Sequence, residues 1–532
     1  MLGQMQDWSL CVTRIVDHAA REHGTRELVT RWADGSETRS TWAGVRHDAL
    51  RMTQALRKLG VGKGDRVATL AMNHVRHLIS WYGAVGVGGV LHTINPRLFD
   101  DQLEYIVNHA EDQVLLYDAA FQPLIDRMKA RWPTIRHYIC YDSAEHAPYF
   151  EDWIGAEDGV TEWTECDERD PCMLCYTSGT TGNPKGVLYE HRSTMLHAIV
   201  SLQPTVFDFD ARSVMLPVVP MFHAASWGLP WSGAATGVKF VFSAVNDPAV
   251  ICDLIHKEGV THAAGVPTVW LGMFQHLDAT GDDFGKLRHI ICGGSAMPRF
   301  MIERLMKNGI EVAHAWGMTE TSPIGTTGCK PFDWDDLTFD QQVDAKAMQG
   351  RVPIGVELRC LDLDDPAKIL PRDGKTSGAL QVRGPWVIKR YFKAEADATE
   401  ADQWFDTGDV AIIHPDGTLQ LTDRTKDVIK SGGEWISSVE LENAVVAHPA
   451  VAEAAAIGIA HPKWDERPIL VVVKKPGAQV SASDLREFLA EKVAKWWLPD
   501  AVEFVDDLPH TGTGKISKKD LRERFRDYRL EG

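Results

Sequence analysis

No run of about 18 or more apolar residues occurs in this chain, so a bilayer-spanning helix is not expected. Its first residues, Met1-Leu-Gly-Gln-Met-Gln-Asp7, lack the basic stretch and apolar core of a secretory leader. Its last, Leu530-Glu531-Gly532, lack a peroxisomal Ser-Lys-Leu address. Cysteine is scarce: nine scattered residues, an odd number, argue against a disulfide framework and suit reduced thiols in a cytosol. A cytoplasmic location is the expectation. Cys172 and Cys175 form a lone C-x-x-C without a second pair or a histidine cluster, so they are assigned to a buried strand rather than to a metal. Positive charge is also short. The 56 Lys and Arg against 74 Asp and Glu leave −18, which argues against nucleic acid as the main partner. Internal repeats and low-complexity segments are missing.

What is present is a long globular chain. At 532 residues, with 44% hydrophobic and 24% charged, it exceeds one ordinary core and predicts two or more domains. The first half alternates helical and extended patterns. Ser40 or Thr41 caps a helix whose apolar residues recur to Leu59, while Arg66–Met72 and Gln113–Tyr117 read as buried strands. Such alternation predicts parallel sheets with helices on their faces. Gly83, Gly86, Gly88 and Gly89 miss the G-x-G-x-x-G spacing, because Leu91 falls at its last position, and are read as close helix–strand packing. From about residue 376 the texture changes to short strands, Leu380–Arg383 and Val410–His414, with Asp416-Gly417 as a hairpin turn. The charged run Asp423-Arg-Thr-Lys-Asp427 reads as a hinge. Beyond it, helices over Val439–Val446 and Ser483–Lys495 flank a strand at Pro468–Lys474.

The most informative segment is Tyr176-Thr-Ser-Gly-Thr-Thr-Gly-Asn-Pro-Lys-Gly186, in which seven residues are Ser, Thr or Gly. Small residues let backbone N–H groups crowd around an anion, hydroxyls add donors, and Lys185 adds a point charge. This is chemistry for a polyphosphate. It is not the Walker loop, since Lys185 precedes Gly186 and no Ser or Thr follows it.

Six further motifs follow in order: Gly293-Gly-Ser-Ala-Met297, Ala315-Trp-Gly-Met-Thr-Glu-Thr321, Asp406-Thr-Gly-Asp409, Asp423-Arg-Thr-Lys-Asp427, Ser431-Gly-Gly-Glu-Trp-Ile-Ser437 and Thr511-Gly-Thr-Gly-Lys515. From about Leu10 to Phe525 the chain thereby resembles the adenylate-forming superfamily, in its acyl-CoA synthetase branch. The spellings are most similar to bacterial medium- and long-chain fatty-acid–CoA ligases and to the relatives that activate 3-methylthiopropionate. The resemblance implies an α/β fold: a large N-terminal domain of sheets flanked by helices plus a β-barrel-like subdomain, and a small mobile α+β C-terminal domain. The expected boundaries are 1–423 for the AMP- and acyl-binding domain, 424–427 for the hinge and 428–532 for the mobile domain.

The implied reaction joins a carboxylate to the α-phosphate of ATP, expels pyrophosphate and passes the acyl group to coenzyme A, with Mg²⁺ as cofactor. Two anions must meet, so cations and donors have to neutralise the site. Thr177, Ser178, Gly179, Thr180, Thr181 and Gly182 would cradle the phosphates beside Lys185. Thr319 would donate to the α-phosphate, and Thr177 and Glu320 would serve Mg²⁺ through hard oxygen. Gly294, Ser295, Ala296, Ala315, Trp316, Gly317 and Met318 would line the adenine pocket, with Trp316 replacing a Tyr common in relatives. Asp409 would take both ribose hydroxyls, and Arg424 the ribose or phosphate side. Lys430, Gly432, Gly433, Glu434 and Trp435 are assigned to cofactor binding, the 432–434 segment to the pantetheine tunnel. Lys515 would bridge carboxylate and α-phosphate, and Lys426 sits at the pivot. Ala379 departs from the Glu usual after Gly378.

For the acyl group the resemblance points to Met215–Trp231, with His223, Trp227, Val266 and Pro267 as lining. No Asp or Glu occurs from Met215 through Ala244, so no partner for an amino-acid ammonium is offered. An uncharged acyl chain is the expectation, with Trp227 as an aromatic gate. The enzyme is therefore read as an ATP-dependent ligase of medium- or long-chain fatty acids. A ligase for 3-methylthiopropionate or another short or aryl acid stays open, as does a stand-alone enzyme loading an acyl carrier protein. Its partners are a small carboxylic acid, ATP and CoA, with no nucleic acid and no membrane span; a homodimer is left open.

Overall fold

The computed structural model describes residues 3–146, 148–177, 183–432, 434–510 and 516–530. The chain forms two compact units, Met1–Val356 with Arg383–Gln403, and Glu357–Val382 with Trp404–Gly532.

The first unit carries two large sheets and a small ribbon. Its early strands are β1 (Glu27–Arg31), β2 (Glu37–Thr41), β3 (Arg66–Leu70), β4 (Val90–Thr93), β5 (Asp112–Tyr117), β6 (His137–Cys140), β7 (Pro171–Tyr176) and β8 (Gly186–Glu190). Then come β9 (Val214–Pro217), β10 (Lys239–Ser243), β11 (His262–Gly265), β12 (His289–Cys292), β13 (Glu311–His314), β14 (Trp316–Gly317) and β15 (Ile324–Thr326). One sheet runs β6-β5-β3-β4-β7-β8, parallel except for the edge pair β7–β8. The other runs β13-β12-β11-β9-β10-β1-β2, parallel except for β1–β2.

Local sequence explains these elements. Thr41 Oγ1 accepts the Gly44 N–H at 3.1 Å and starts the helix Trp42–Lys58, which buries Val45, Ala49, Met52 and Leu56. Cys172 and Cys175 lie buried in β7, as the apolar run around them requires. Two of the four glycines pack differently from the expectation. Gly83 and Gly86 belong to the helix Val75–Gly86, where a Cβ would meet Met52 Sδ at 2.7 Å and Thr53 Oγ1 at 2.5 Å. They permit two helices to touch rather than a helix and a strand.

In the second sheet, Leu216, Ile290, Val312, Trp270 and Met301 share one apolar core with the helices Pro267–Thr280 and Arg299–Lys307. β11, β12 and β13 are each four residues long and start in register at His262, His289 and Glu311. Their C-terminal ends therefore align, and open parallel sheets bind ligands at such ends.

In the second unit, β16 (Glu357–Leu361), β17 (Gly378–Arg383), β18 (Phe405–Ile413) and β19 (Leu419–Arg424) form a four-stranded sheet in chain order, where the barrel-like subdomain is expected. Asp416-Gly417 turns between β18 and β19, which pair antiparallel. A five-stranded sheet follows, built from β20 (Ile429–Ser431), β21 (Glu434–Ile436), β22 (Val451–His461), β23 (Asp465–Lys474) and β24 (Ala501–Phe504). Alternation places Ala456, Leu470 and Val472 on one face under the helices Ser438–Val446 and Ala482–Ala490. Ile457, Ile469 and Val471 face the other way, onto Leu521 of the helix Lys518–Arg524. Among the described residues no helix is long and apolar enough to cross a membrane.

Candidate active site

In the first unit, β7 and β8 pair from Pro171↔Glu190 to Tyr176↔Gly186 and present the Ser/Thr/Gly loop between them. At its base the Thr177 N–H donates to the Lys185 carbonyl at 2.9 Å. Ser178, Gly179, Thr180, Thr181 and Gly182 lie outside the described residues. The Gly186 carbonyl accepts the Phe392 N–H at 2.8 Å, and a Cβ on Gly186 would press on Phe392 and Leu174 at 3.1 Å. The exposed Lys185 ammonium stands 4.8 Å from the centre of the Tyr391 ring.

Tyr391 also reaches the expected metal carboxylate. Its hydroxyl donates to Glu320 Oε1 at 2.8 Å, and the Ile388 N–H donates to the Glu320 carbonyl at 2.8 Å. Glu320 is buried, and the Tyr189 hydroxyl donates to the Thr319 carbonyl at 2.7 Å. Burial first, and the Glu320 carboxylate after it, push the Tyr391 phenol far up; burial does the same for Tyr189. Both phenols thus stay neutral donors at physiological pH. Neither tyrosine stood out in the sequence. Tyr189 sits in an ordinary apolar strand, and Tyr391 lies 71 positions from Glu320. The only local signal was an aromatic pair among cations, Lys389-Arg-Tyr-Phe-Lys393.

The turn that aims Thr319 and Glu320 depends on glycine. β14 and β15 pair antiparallel, Trp316↔Thr326 and Gly317↔Ile324. A Cβ on Gly317 would lie 1.7 Å from the Pro323 carbonyl oxygen, and one on Gly325 would lie 2.3 Å from the Trp316 ring. The Met318 N–H closes the turn onto the Pro323 carbonyl at 3.1 Å.

Part of the expected adenine and acyl set, Gly294, Ala315, Trp227 and Val266, comes together at the strand ends. Ala315 N–H donates to the Cys292 carbonyl at 2.7 Å, joining the ends of β12 and β13. Gly294 has φ 81°, and a Cβ there would be 3.3 Å from Val266 Cγ1. A Cβ on Gly293 would be 3.1 Å from the Ala315 carbonyl oxygen and 3.6 Å from the Trp227 ring. Ser295 and Ala296 are exposed beside them, and Pro267 opens the helix that follows Val266. His314 pins this loop from beneath. Its Nε2 accepts the Met297 N–H at 3.2 Å, and its Nδ1 donates to the Ala347 carbonyl at 2.9 Å. Burial lowers its pKa to about 4, which keeps that tautomer neutral.

Asn73 is another residue the sequence did not reveal. Its amide donates to the carbonyls of Pro217 and Val219 at 2.7 and 2.9 Å and accepts the Met221 N–H at 2.7 Å, which holds the segment leading to His223. From Ala224 to Gly228 the chain forms a 3₁₀ turn, with φ of 42° at Ala224, 47° at Ser226, 56° at Trp227 and 76° at Gly228. Left-handed φ is costly for a tryptophan, and such strain collects at functional sites.

In the second unit, Asp409 on β18 faces Arg424 on β19, with Arg424 Nε 3.2 Å from Asp409 Oδ1. Asp409 is buried while Arg424 is exposed. The next residue back, Asp423, points inward and accepts the Ser438 hydroxyl at 2.9 Å; Lys518 donates to that same hydroxyl and pairs with Glu442 at 2.8 Å. Arg522 pairs with Asp427 at 2.6 Å. Lys430 Nζ lies 2.9 Å from Asp364 and 4.8 Å from the Trp435 ring centre. Gly432 has φ 62°, and a Cβ there would strike the Trp464 ring at 2.6 Å. Gly433, the Glu434 side chain and Lys515 lie outside what the structure describes.

The family model "AMP-binding enzyme" matches residues 16–392, and "AMP-binding enzyme C-terminal domain" matches 440–515. A 3-methylmercaptopropionyl-CoA ligase of Ruegeria lacuscaerulensis is 46% identical over 99% of both chains. A medium-chain-fatty-acid–CoA ligase of Ectopseudomonas oleovorans is 45% identical over 100% of this chain and 98% of its own. A long-chain-fatty-acid–CoA ligase of Thermus thermophilus is 42% identical over 98% and 97%. Among solved structures, an anthranilate CoA ligase in complex with anthranoyl-AMP superposes with a TM-score of 0.87 at 25% identity, covering 98% of each chain.

Proposed function

Since the chain belongs to the AMP-binding enzyme family and is an AMP-forming acyl-CoA ligase using ATP, Mg²⁺ and coenzyme A, we propose that its acid is a medium- or long-chain fatty acid. The observation behind this choice is the apolar pair Trp227 and Val266 beside the glycines of the 293–297 loop, with no carboxylate in the segment Met215 to Ala244 that carries Trp227. A second reading, 3-methylmercaptopropionate, is favoured by the Ruegeria relatives at 46% and 44% identity.

The residues fit the chemistry asked of them. Glu320 offers hard oxygen suited to Mg²⁺, and the ion bound there would offset phosphate charge. Tyr391 holds the Glu320 carboxylate in one orientation, and the Tyr391 ring supports Lys185. The hydroxyls of 177–181 supply further phosphate donors, and Asp409 would hold the ribose with Arg424 beside it. Lys515 would attract the acid carboxylate toward the α-phosphate. Rotation of residues 428–532 about 424–427 would then withdraw Lys515 and offer the 432–434 segment to pantetheine. A cytosolic setting completes the proposal, supported by nine free cysteines.

Release of AMP and pyrophosphate with ATP, Mg²⁺ and CoA over straight-chain acids from propionate to palmitate, with 3-methylmercaptopropionate and benzoate, tests the substrate. A clear optimum at medium or long chains supports the first reading. A higher kcat/KM for the thioether acid replaces it with the second. Lys515→Ala tests the rotation: acyl-AMP formation should fall about 10² to 10³-fold, while CoA transfer from supplied acyl-AMP persists. Equal loss of both steps would remove the two-state scheme.

A further inference from the structure

The strands whose C-terminal ends carry the 293–297 and 315–318 loops hold a separate constellation at their starts. His262 opens β11, His289 opens β12, and the two are register partners. Their rings stack with centroids 5.3 Å apart and planes 26° from parallel. His262 is 0% exposed and His289 6%. Thr261 Oγ1 lies 2.8 Å from His262 Nδ1, whereas Nε2 of both rings is buried with no hydrogen-bond partner among the described residues. An orphaned buried polar atom is destabilising, and two side by side call for a ligand. Asp208, exposed at the turn before β9, brings a carboxylate oxygen so that one ligand atom from each residue lies within 4.8 Å of the others.

We infer that Asp208, His262 and His289 form a binding site for a divalent transition ion of the zinc class, distinct from the Mg²⁺ site of catalysis. Two neutral imidazoles and one carboxylate are a zinc donor set, and the exposed side of Asp208 leaves room for solvent as a fourth ligand. Oxygen-seeking Mg²⁺ is disfavoured by the same donors. Neighbouring charges temper affinity. Arg288 acts on both rings and Lys346 on His289, Lys346 being paired with Glu311, while Asp210 acts on His262 and is itself paired with Arg212. The Asp208 backbone carbonyl also faces His262. Each strand is four residues long, so the ion would clip the starts of β11 and β12 about 10 Å from the loops they carry. Its role is to stiffen the platform beneath the nucleotide site.

Calorimetric titration of nucleotide-free, EDTA-treated protein with Zn²⁺ alone tests this. Wild type should take up one equivalent and gain in thermal midpoint. His262→Gln and His289→Gln should lose that equivalent, and Asp208→Asn should bind at least tenfold more weakly. Asp208 is exposed, so its variant remains informative if the histidine variants fail to fold. Asp282→Asn, in the neighbouring Cys252, His276 and Asp282 group, should bind like wild type. Absence of uptake by wild type, equal uptake by Asp208→Asn, or loss in Asp282→Asn alone overturns the site and leaves the two nitrogens to water.

Discussion

A single phenol joins Glu320 and Lys185, two residues of the proposed phosphate site, in the first unit. Tyr391 donates to Glu320 and lies under Lys185, so one side chain orients a carboxylate and a cation together. A hydrogen bond to a charged group is worth about 1.5–3 kcal/mol. Tyr391→Phe should therefore slow acyl-AMP formation roughly 10- to 100-fold and raise the Mg²⁺ concentration needed for half-maximal pyrophosphate exchange. An unchanged Mg²⁺ response would reduce Tyr391 to packing. The importance of this residue was not legible in the chain. The composition of residues 177–186 points to phosphate as an expectation from sequence alone, because its hydroxyls, small residues and lysine bring donors without help from the fold. A tyrosine hydroxyl means nothing until the fold shows what it faces. Asn73 and His314 stayed hidden for the same reason: both act on backbone groups far from them in sequence.

At the scale of elements, the β14–β15 ribbon is the least tolerant piece of the site. Gly317→Ala would bring a methyl to within 1.7 Å of the Pro323 carbonyl oxygen, and backbone cannot step aside as a flexible side chain can. The Thr319–Glu320 turn would move with the ribbon. ATP affinity and thermal midpoint should fall together, whereas Gly309→Ala, with φ of 72° and open space around it, should lower stability alone. Strands and helices were mostly legible, since apolar runs and an N-cap threonine are local statements. Gly83 and Gly86 were misread because a sequence shows that something packs closely there, not whether it is a strand or a helix. Asp423 is the converse case. In the chain it belongs to a run of charges; in the fold it is buried and hydrogen-bonded to Ser438.

Across the whole molecule, acid should act on the two units with opposite sign. His77 and His197 are lowered by burial to about 3, and His191 and His314 to about 4, all in the first unit. Below about pH 6.5 the unfolded chain takes up protons these imidazoles refuse, so their contribution is complete above that pH and is lost as pH falls toward 4. Each unit of depression is worth about 1.4 kcal/mol. In the second unit, burial raises Asp423, Glu440 and Glu442, so their contribution is present at low pH and lost as pH rises through the raised values. Urea unfolding at pH 7.5 and pH 5, read by tryptophan fluorescence and by hydrogen exchange in each unit, should show the first unit losing stability preferentially. Equal loss in both would contradict this.

The segment Arg383–Gln403 belongs with the first unit although the chain reaches it only after passing through Glu357–Val382 of the second. That path has a consequence for synthesis. A ribosome that has delivered Val356 has not yet delivered Trp386, whose indole N–H donates to the Ile324 carbonyl, nor Phe392, which binds the carbonyl of Gly186. The nascent first unit must wait for a foreign stretch to emerge before it can close. Premature termination anywhere before Gln403 would then yield a product that is not a smaller enzyme but an unfinished one, a substrate for chaperones and proteases.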